Sequence, residues 1–190
     1  AVTLALAVQC LVVYQLLLFV FTRLNPLRFL KKFSPVMMFA FTTATSNATI
    51  PLSIDTLDKK IGVSKKISSF TIPLGATINM DGTSIMQGVA VIFIAQVYGM
   101  ELTPAQLLTV IATAMIASIG TAGIPSVGLI MLAMVLTSVG LPTEGIALIM
   151  GIDRILDMLR TAVNITGDAV CTTIVSSQNK ELDRSIFNRD

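Results

Sequence analysis

Along the chain, long apolar stretches alternate with short clusters of positive charge. Ala1 to Phe21 is apolar, with Gln9 and Gln15 as its strongly polar interruptions, and a helix of that length spans a bilayer. A basic patch follows at Arg23, Arg28, Lys31 and Lys32. The second apolar stretch runs from Phe33 to about Ile54 and is broken by a polar tip, Thr42 to Thr49. A second basic patch closes it at Lys59, Lys60, Lys65 and Lys66, and neither Lys nor Arg recurs until Arg154. Lys and Arg collect on the cytoplasmic side of membrane proteins. Both flanks of the second stretch are therefore expected there, and residues 33–56 are expected to enter and return as a re-entrant hairpin. Residues 67–98 then cross outward as an interrupted helix. The run Leu102–Val139 is flanked by Glu101 and Glu144 but by no base. It reads as a second re-entrant hairpin, over 102–140, that enters from outside and has its tip at Ser118 to Ser126. Residues 145–177 cross back, and 178–190 form a cytoplasmic tail.

The expected fold is an all-α membrane protein: a helix over 1–22, a re-entrant hairpin, a helix, a second re-entrant hairpin and a last helix, with inverted-repeat character. Backbone outside helices cannot sit unpaired in hydrocarbon, so the polar tips have to be buried in protein. Inverted repeats with broken helices are the architecture of secondary transporters, which bind substrate near the midplane. The competing reading makes each long stretch one tilted or kinked crossing.

Composition supports the membrane assignment. Hydrophobic residues make up 54% of the 190 and charged residues 13%, against roughly a quarter charged in soluble domains. A net charge of +2, with no basic block interleaved with aromatics, argues against nucleic acid as a partner. Cys10 and Cys171 form neither a disulfide framework nor a metal spacing. With no histidine, His-ligated metals and His acid–base chemistry are excluded. The chain opens Ala-Val-Thr, without a basic start of the kind a signal peptide needs, and reads as a piece of something longer.

The last crossing carries the strongest chemical signal. Asp153, Asp157, Thr161, Asn164 and Asp168 are spaced four, four, three and four apart, which puts them on one helical face. Ile155, Leu156, Ala162, Val163 and Val170 fall opposite. Ionisable groups at bilayer depth cost about 2.5–3.5 kcal/mol each on insertion scales and mark function. A cytoplasmic amphipathic helix with a solvated charged face is the alternative, and the apolar runs Leu148–Met150 and Thr172–Val175 argue against it. In the crossing 67–98, Gly75 to Thr83 contains two glycines and Asn79-Met80-Asp81, a poor sequence for regular helix. Unwinding there frees carbonyls beside a carboxylate and an amide, oxygen ligands suited to a small hard cation such as sodium. An Asp-Gly turn between two short helices fits the same residues. Both hairpin tips run from Ser, Asn or Gly to proline, at Pro51 and Pro125. Proline suits the first turn of a helix, so both tips are expected to aim helix N-termini, which favour anions, at the centre.

At these residues the chain resembles the dicarboxylate/amino-acid:cation symporter family, the glutamate transporter family. The likeness rests on Thr49-Ile50-Pro51, Leu74 to Thr83, Ala117 to Pro125, and Asp153 to Asp168. The resemblance implies the C-terminal part of a transport domain, separated from an absent N-terminal scaffold, in a homotrimer of the plasma (inner) membrane embedded in lipid. It implies sodium-coupled uptake of glutamate or aspartate, with proton coupling left open. Substrate would meet Thr45 and Ser46 at the first tip, Thr83, Ile124 at the second tip, and Asp157, Arg160, Thr161 and Asn164. Asp157 would take the amino group and Arg160 the side-chain carboxylate. One sodium site would use backbone oxygens of Gly75, Asn79 and Asn164 with the Asp168 carboxylate. A second would use backbone oxygens of Thr77, Ser118, Ile119 and Thr121, and a third would involve Asn79 and Asp81. The chain departs from many relatives at Thr45-Ser46-Asn47, where they have a run of serines. Three other readings compete: a proton-coupled dicarboxylate or neutral amino-acid symporter of the same family, an ion channel, and an intramembrane hydrolase. One Arg amid acids suits neither a pore ring nor a proton-sharing acid pair. No enzyme activity is expected.

Overall fold

The structure is a computed structural model that describes residues 1–119 and 126–189, and every element among them is helical apart from one isolated bridge. Helix α1, Val2–Thr22, contains a π-helical turn at Gln9–Val13 and ends where Arg23 turns left-handed. Helix α2 is Pro26–Thr43, so Arg28, Lys31 and Lys32 of the basic patch expected outside the first hairpin lie in its opening turns. Capping outranks charge there. Asn25 Oδ1 accepts the amide protons of Leu27 and Arg28 at 3.0 and 3.2 Å, and Pro26 occupies the first helical position, where its missing N–H costs nothing.

Helix α2 stops at Ala44, and α3, Ser46–Thr56, extended by a π turn at Leu57–Ile61, runs back along it. Pro51 was expected in the first turn of this helix but lies in its interior. The extended backbone of Thr45, at φ −142°, starts the helix early, and Pro51 leaves one upstream carbonyl without its helical donor. Helices α4, Lys65–Ile78, and α5, Asp81–Val97, are separated by Asn79 and Met80, both outside helical geometry. Helix α6, Pro104–Ser118, opens on a capping box of Thr103 and Gln106 and packs against α7, Val127–Ser138. A 3-10 turn, Thr143–Ile146, leads into the long α8, Ala147–Gln178, and α9, Arg184–Asn188, closes the chain.

Helix α8 is the axis, touching α1, α2, α3, α4, α5 and α7. From Thr161 to Val170 every residue but Ala162 is buried. The apolar face opposite the acidic stripe is therefore covered as well at Val163 and Val170, while Ile155, nearer the start, is 61% exposed. One apolar cluster, with Leu18, Phe29, Phe33, Leu57 and Phe187, joins α1, α2, α3 and the tail around α8. A second, with Met86, Ile94, Leu132 and Leu136, joins α5, α6 and α7.

The exterior is apolar where a soluble protein would be polar. Leu4, Leu11, Leu16 and Phe21 on α1, Ile111 and Ile116 on α6, and Ile130 on α7 are all exposed, far more contiguous apolar surface than water tolerates. Among the described residues, Val2–Thr22 and Lys65–Val97 are long and apolar enough to cross a membrane. The tail folds back onto the base of the bundle. Leu182 bridges Val63, and Arg184 Nη2 donates to the Thr22 carbonyl at 2.7 Å. Asp183 caps α9 by accepting the Ser185 N–H at 2.8 Å, and that hydrogen bonding holds its carboxyl below the usual carboxylate range.

Candidate solute and ion site

Three parts of the chain converge on the middle of α8. A cavity of about 20 Å³, room for about one water, is lined by Ala44 and Ser46 from the α2–α3 turn, Met80 and Thr83 from the α4–α5 break, Gly128 from α7, and Asp157, Arg160, Thr161 and Asn164 from α8. The helical spacing of the acidic stripe puts its side chains along one buried face. Asp153, Asp157, Arg160, Thr161, Asn164 and Asp168 are all at most 5% exposed.

Arg160 lies at the centre. Its Nε donates to Asp157 Oδ1 at 3.0 Å, and its Nη2 lies 2.9 Å from the same oxygen and 3.5 Å from Asp153 Oδ1. Those Nη2 approaches fall off the hydrogen-bonding direction. Among the described residues, Nη1 and Nη2 have no hydrogen-bond acceptor although both are buried. Buried guanidinium protons without acceptors are costly, and both nitrogens belong to a residue lining the cavity. The other oxygen of Asp157, Oδ2, accepts the Ser126 N–H at 2.8 Å. The N-terminus of α7 therefore holds an anion, and that anion is the protein's own Asp157. Gly128, on the first turn of α7, faces the guanidinium so closely that a Cβ there would stand 2.7 Å from Nη1.

A second group lies one to two turns further along α8. Asn79 Nδ2 donates to Asp168 Oδ1 at 2.8 Å, and the Gly82 N–H donates to Asn164 Oδ1 at 2.8 Å. Gly75 packs directly on Asp168, its absent Cβ 2.5 Å from Oδ1. The hydrogen-bond ladder of α4 ends where the Asn79 N–H meets the Gly75 carbonyl at 2.8 Å, so the carbonyls of the last turn are released from helical pairing. Asp81 Oδ2 accepts from the Tyr14 hydroxyl at 3.0 Å and from Gln9 Nε2 at 3.1 Å. Nearby, Ser84 Oγ donates to Ser118 Oγ at 2.8 Å. The C-terminal ends of α4 and α6 thus both come within a turn of the break, and both present partial negative charge.

Of the residues expected to bind solute, Ser46, Thr83, Asp157, Arg160, Thr161 and Asn164 line the same cavity, and Thr45 stands between Ala44 and Ser46, which line it too. Ile124 and Thr121, with the rest of the second tip from Gly120 to Pro125, lie outside the described residues. Gly75, Asn79, Asn164 and Asp168 are neighbours, and Asp81 is tied to α1. Thr77 is exposed and returns its hydroxyl to the Leu74 carbonyl at 2.8 Å. Ser118 is buried while Ile119 is 58% exposed, and among the described residues no hydrogen bond joins Thr77 to either. The oxygen donors around Asp168 and the α4 break fit a small hard cation. Among the described residues no cluster of three His, Cys, Asp or Glu side chains that could hold a metal occurs. Sequence reasoning missed Tyr14 as an Asp81 partner and passed over Gln9 as a mere interruption. A glutamine and a tyrosine hydroxyl in a lipid-length helix were the available signal.

A helical body with an apolar exterior, broken helices and a charged cavity at its centre has the build of a membrane solute carrier. The chain belongs to the sodium:dicarboxylate symporter family, whose pattern matches residues 1–178. It is 43% identical over 175 residues to the excitatory amino acid transporter of Caenorhabditis elegans, covering 92% of this chain and 35% of that protein. Human excitatory amino acid transporter 1 is 43% identical over 189 residues, covering 100% of this chain and 34% of its own. Human excitatory amino acid transporter 2 is 45% identical over 169 residues, at 88% and 29% coverage. The chain thus spans about a third of the length of the curated relatives it matches.

Proposed function

We propose that the chain is the C-terminal part of the transport domain of a sodium-coupled symporter for acidic amino acids. The observation that carries this reading is Arg160: a guanidinium 2% exposed, lining a cavity, with two nitrogens lacking hydrogen-bond acceptors among the described residues. A substrate side-chain carboxylate supplies two parallel acceptors in the geometry a guanidinium fork matches. Asp157, three residues away on the same face, takes the substrate ammonium once it gives up the Ser126 N–H and Arg160. Thr83, Thr161 and Asn164 complete the polar wall, and Thr45, Ser46 and Ile124 come from the two tips.

The cavity of about 20 Å³ is far below the ≈ 300 Å³ at which small-molecule pockets begin. Entry of an amino acid therefore needs the N-terminal end of α7 to withdraw from Asp157. Sodium ions are read as cargo at three places: Asp168 with the backbone oxygens of Gly75, Asn79 and Asn164; backbone oxygens of Thr77, Ser118, Ile119 and Thr121; and Asn79 with Asp81. The name of a family of sodium:dicarboxylate symporters supports sodium over protons. The α2–α3 and α6–α7 pairs are read as re-entrant hairpins of an inverted repeat. The tail faces the cytoplasm of a plasma or inner membrane, and the whole protein adds a scaffold and assembles as a trimer.

Replacing Arg160 in the full-length protein tests the assignment. Arg160→Cys is expected to lose aspartate binding yet bind serine, alanine or cysteine, still with sodium. A folded variant that continues to prefer aspartate over serine refutes the reading. Loss of every substrate assigns Arg160 to neutralising Asp157 and Asp153.

A further inference from the structure

Asp81, at the first turn of α5, is held by two side chains of α1. The Tyr14 hydroxyl donates to its Oδ2 at 3.0 Å, and Gln9 Nε2 donates to the same oxygen at 3.1 Å. Gln9 and Tyr14 are five residues apart, a step over which an ordinary α-helix turns side chains roughly 140° away from each other. Both reach one oxygen because α1 is not ordinary there. The Tyr14 N–H bonds the Gln9 carbonyl and closes a π turn over Gln9–Val13, and a five-residue turn sets its two ends one above the other. The widened turn holds one residue more than an α-helix would need. Its surplus falls on the exterior, where Leu11 and Val12 are both exposed. Gln15, a buried side chain, braces the turn by donating Nε2 to the Cys10 carbonyl at 2.9 Å.

The grip on Asp81 is one-sided. Both donors take Oδ2, and among the described residues Oδ1 receives no hydrogen bond. Helix α8 makes room for the meeting at Gly167, where a Cβ would stand 2.5 Å from Tyr14 Oη and 2.9 Å from Asn79 Nδ2. Asn79 in turn donates Nδ2 to Asp168 Oδ1 at 2.8 Å. Helix α1, the α4–α5 break and α8 therefore come together around Asn79 and Asp81.

We propose that Gln9 and Tyr14 are positioning residues for a cation at Asn79 and Asp81, and that the π turn of α1 is what puts them there. They fix one oxygen of Asp81 and leave the other to the ion. A carboxylate already oriented by two donors loses little freedom when the cation arrives, whereas a rotating one would have to be ordered on binding. This role rests on reading Asn79 with Asp81 as a sodium place.

The test uses the full-length protein, with choline replacing sodium to hold the ionic strength. Three quantities are read: the sodium concentration for half-maximal aspartate binding, aspartate affinity at saturating sodium, and the thermal shift produced by sodium alone. Gln9→Met keeps the length of the side chain and removes its donor. It is expected to raise the sodium requirement roughly three- to tenfold, within the worth of one charge-assisted bond. It should also shrink the sodium-induced thermal shift and leave aspartate affinity at saturating sodium within about twofold. Deleting Val12 removes the surplus residue and leaves Gln9 four positions before Tyr14, the step at which an ordinary helix aligns side chains. That protein is expected to fold and to keep the wild-type sodium curve, and adding Gln9→Met to it should bring the shift back. Asp81→Asn supplies the reference. An unchanged sodium curve in Asp81→Asn removes the cation place and this role with it. A shifted curve in Asp81→Asn beside an unshifted one in Gln9→Met overturns the positioning role alone. Aspartate affinity at saturating sodium falling as far as sodium affinity in Gln9→Met would make Gln9 a structural residue and also overturns it. A Val12-deleted protein that fails to fold, or that shifts as far as Gln9→Met, refutes the part assigned to the π turn.

Discussion

Gly128→Ala probes the solute site without removing any of its polar groups. The added Cβ would stand 2.7 Å from Arg160 Nη1, 2.8 Å from Cζ and 2.9 Å from Nη2, where ordinary contacts begin at 3.4 Å. The guanidinium must withdraw by about 0.7 Å, the difference between the first and last of those distances. It cannot swing freely, because Asp157 holds it through Nε at 3.0 Å and Asp153 lies behind it. Overpacking of this kind costs about 1–3 kcal/mol. A two-point grip on a carboxylate is sensitive to displacements well under 1 Å. Aspartate affinity in the full-length protein should therefore fall roughly five- to 150-fold, measured by radioligand binding at saturating sodium, and the same strain should lower the thermal midpoint. The cause can be isolated. In an Arg160→Cys background, assayed with serine, the clashing atoms are gone and Gly128→Ala should cost less than about twofold. Equal losses in the two backgrounds, or aspartate affinity at the wild-type level in the single variant, would refute the placement of the guanidinium against α7.

Three further variants address the rest of the molecule. Asp168→Asn keeps an oxygen but removes the charge beside Gly75 and Asn79; aspartate binding should need roughly tenfold more sodium, and an unchanged sodium curve would count against a cation there. Tyr14→Phe removes the hydroxyl given to Asp81, a charge-assisted bond of about 1.5–3 kcal/mol. It should lower the thermal midpoint and weaken sodium dependence, whereas Tyr98→Phe, at a 45% exposed residue, should do neither. At Gly62, whose φ is +84° and whose Cβ would fall on the Asp183 carbonyl, alanine should cost more than about 1 kcal/mol. It should also speed trypsin cleavage at Arg184, and wild-type cleavage rates would show that the tail is held elsewhere.

Several features of this protein are local in cause and were therefore readable without coordinates. The acidic stripe of α8 depends only on helical spacing, and Asp153, Asp157, Thr161, Asn164 and Asp168 are all buried. The break between α4 and α5 follows from residues that are poor helix formers in an apolar setting, and it falls at Asn79 and Met80. The start of α2 is equally local, set by Asn25 and Pro26 and not by the charge pattern around them. The position of Pro51 was misjudged because a helix starts where the backbone permits it, and Thr45 permitted it a turn and a half earlier.

Tertiary structure alone decided which partner each polar group meets. Tyr14 and Gln9 reach Asp81 from 67 and 72 positions away, and Lys32 grips carbonyls more than 150 positions further on. Hydropathy along a chain records how much apolar surface a segment carries, but it holds no information on which distant donor will face which acceptor. That pairing arises when helices are packed around α8. Its two halves are wrapped by different neighbours, which is why Val163 and Val170 are buried on a face that periodicity alone left open. The same packing turned an anion-binding helix end towards Asp157.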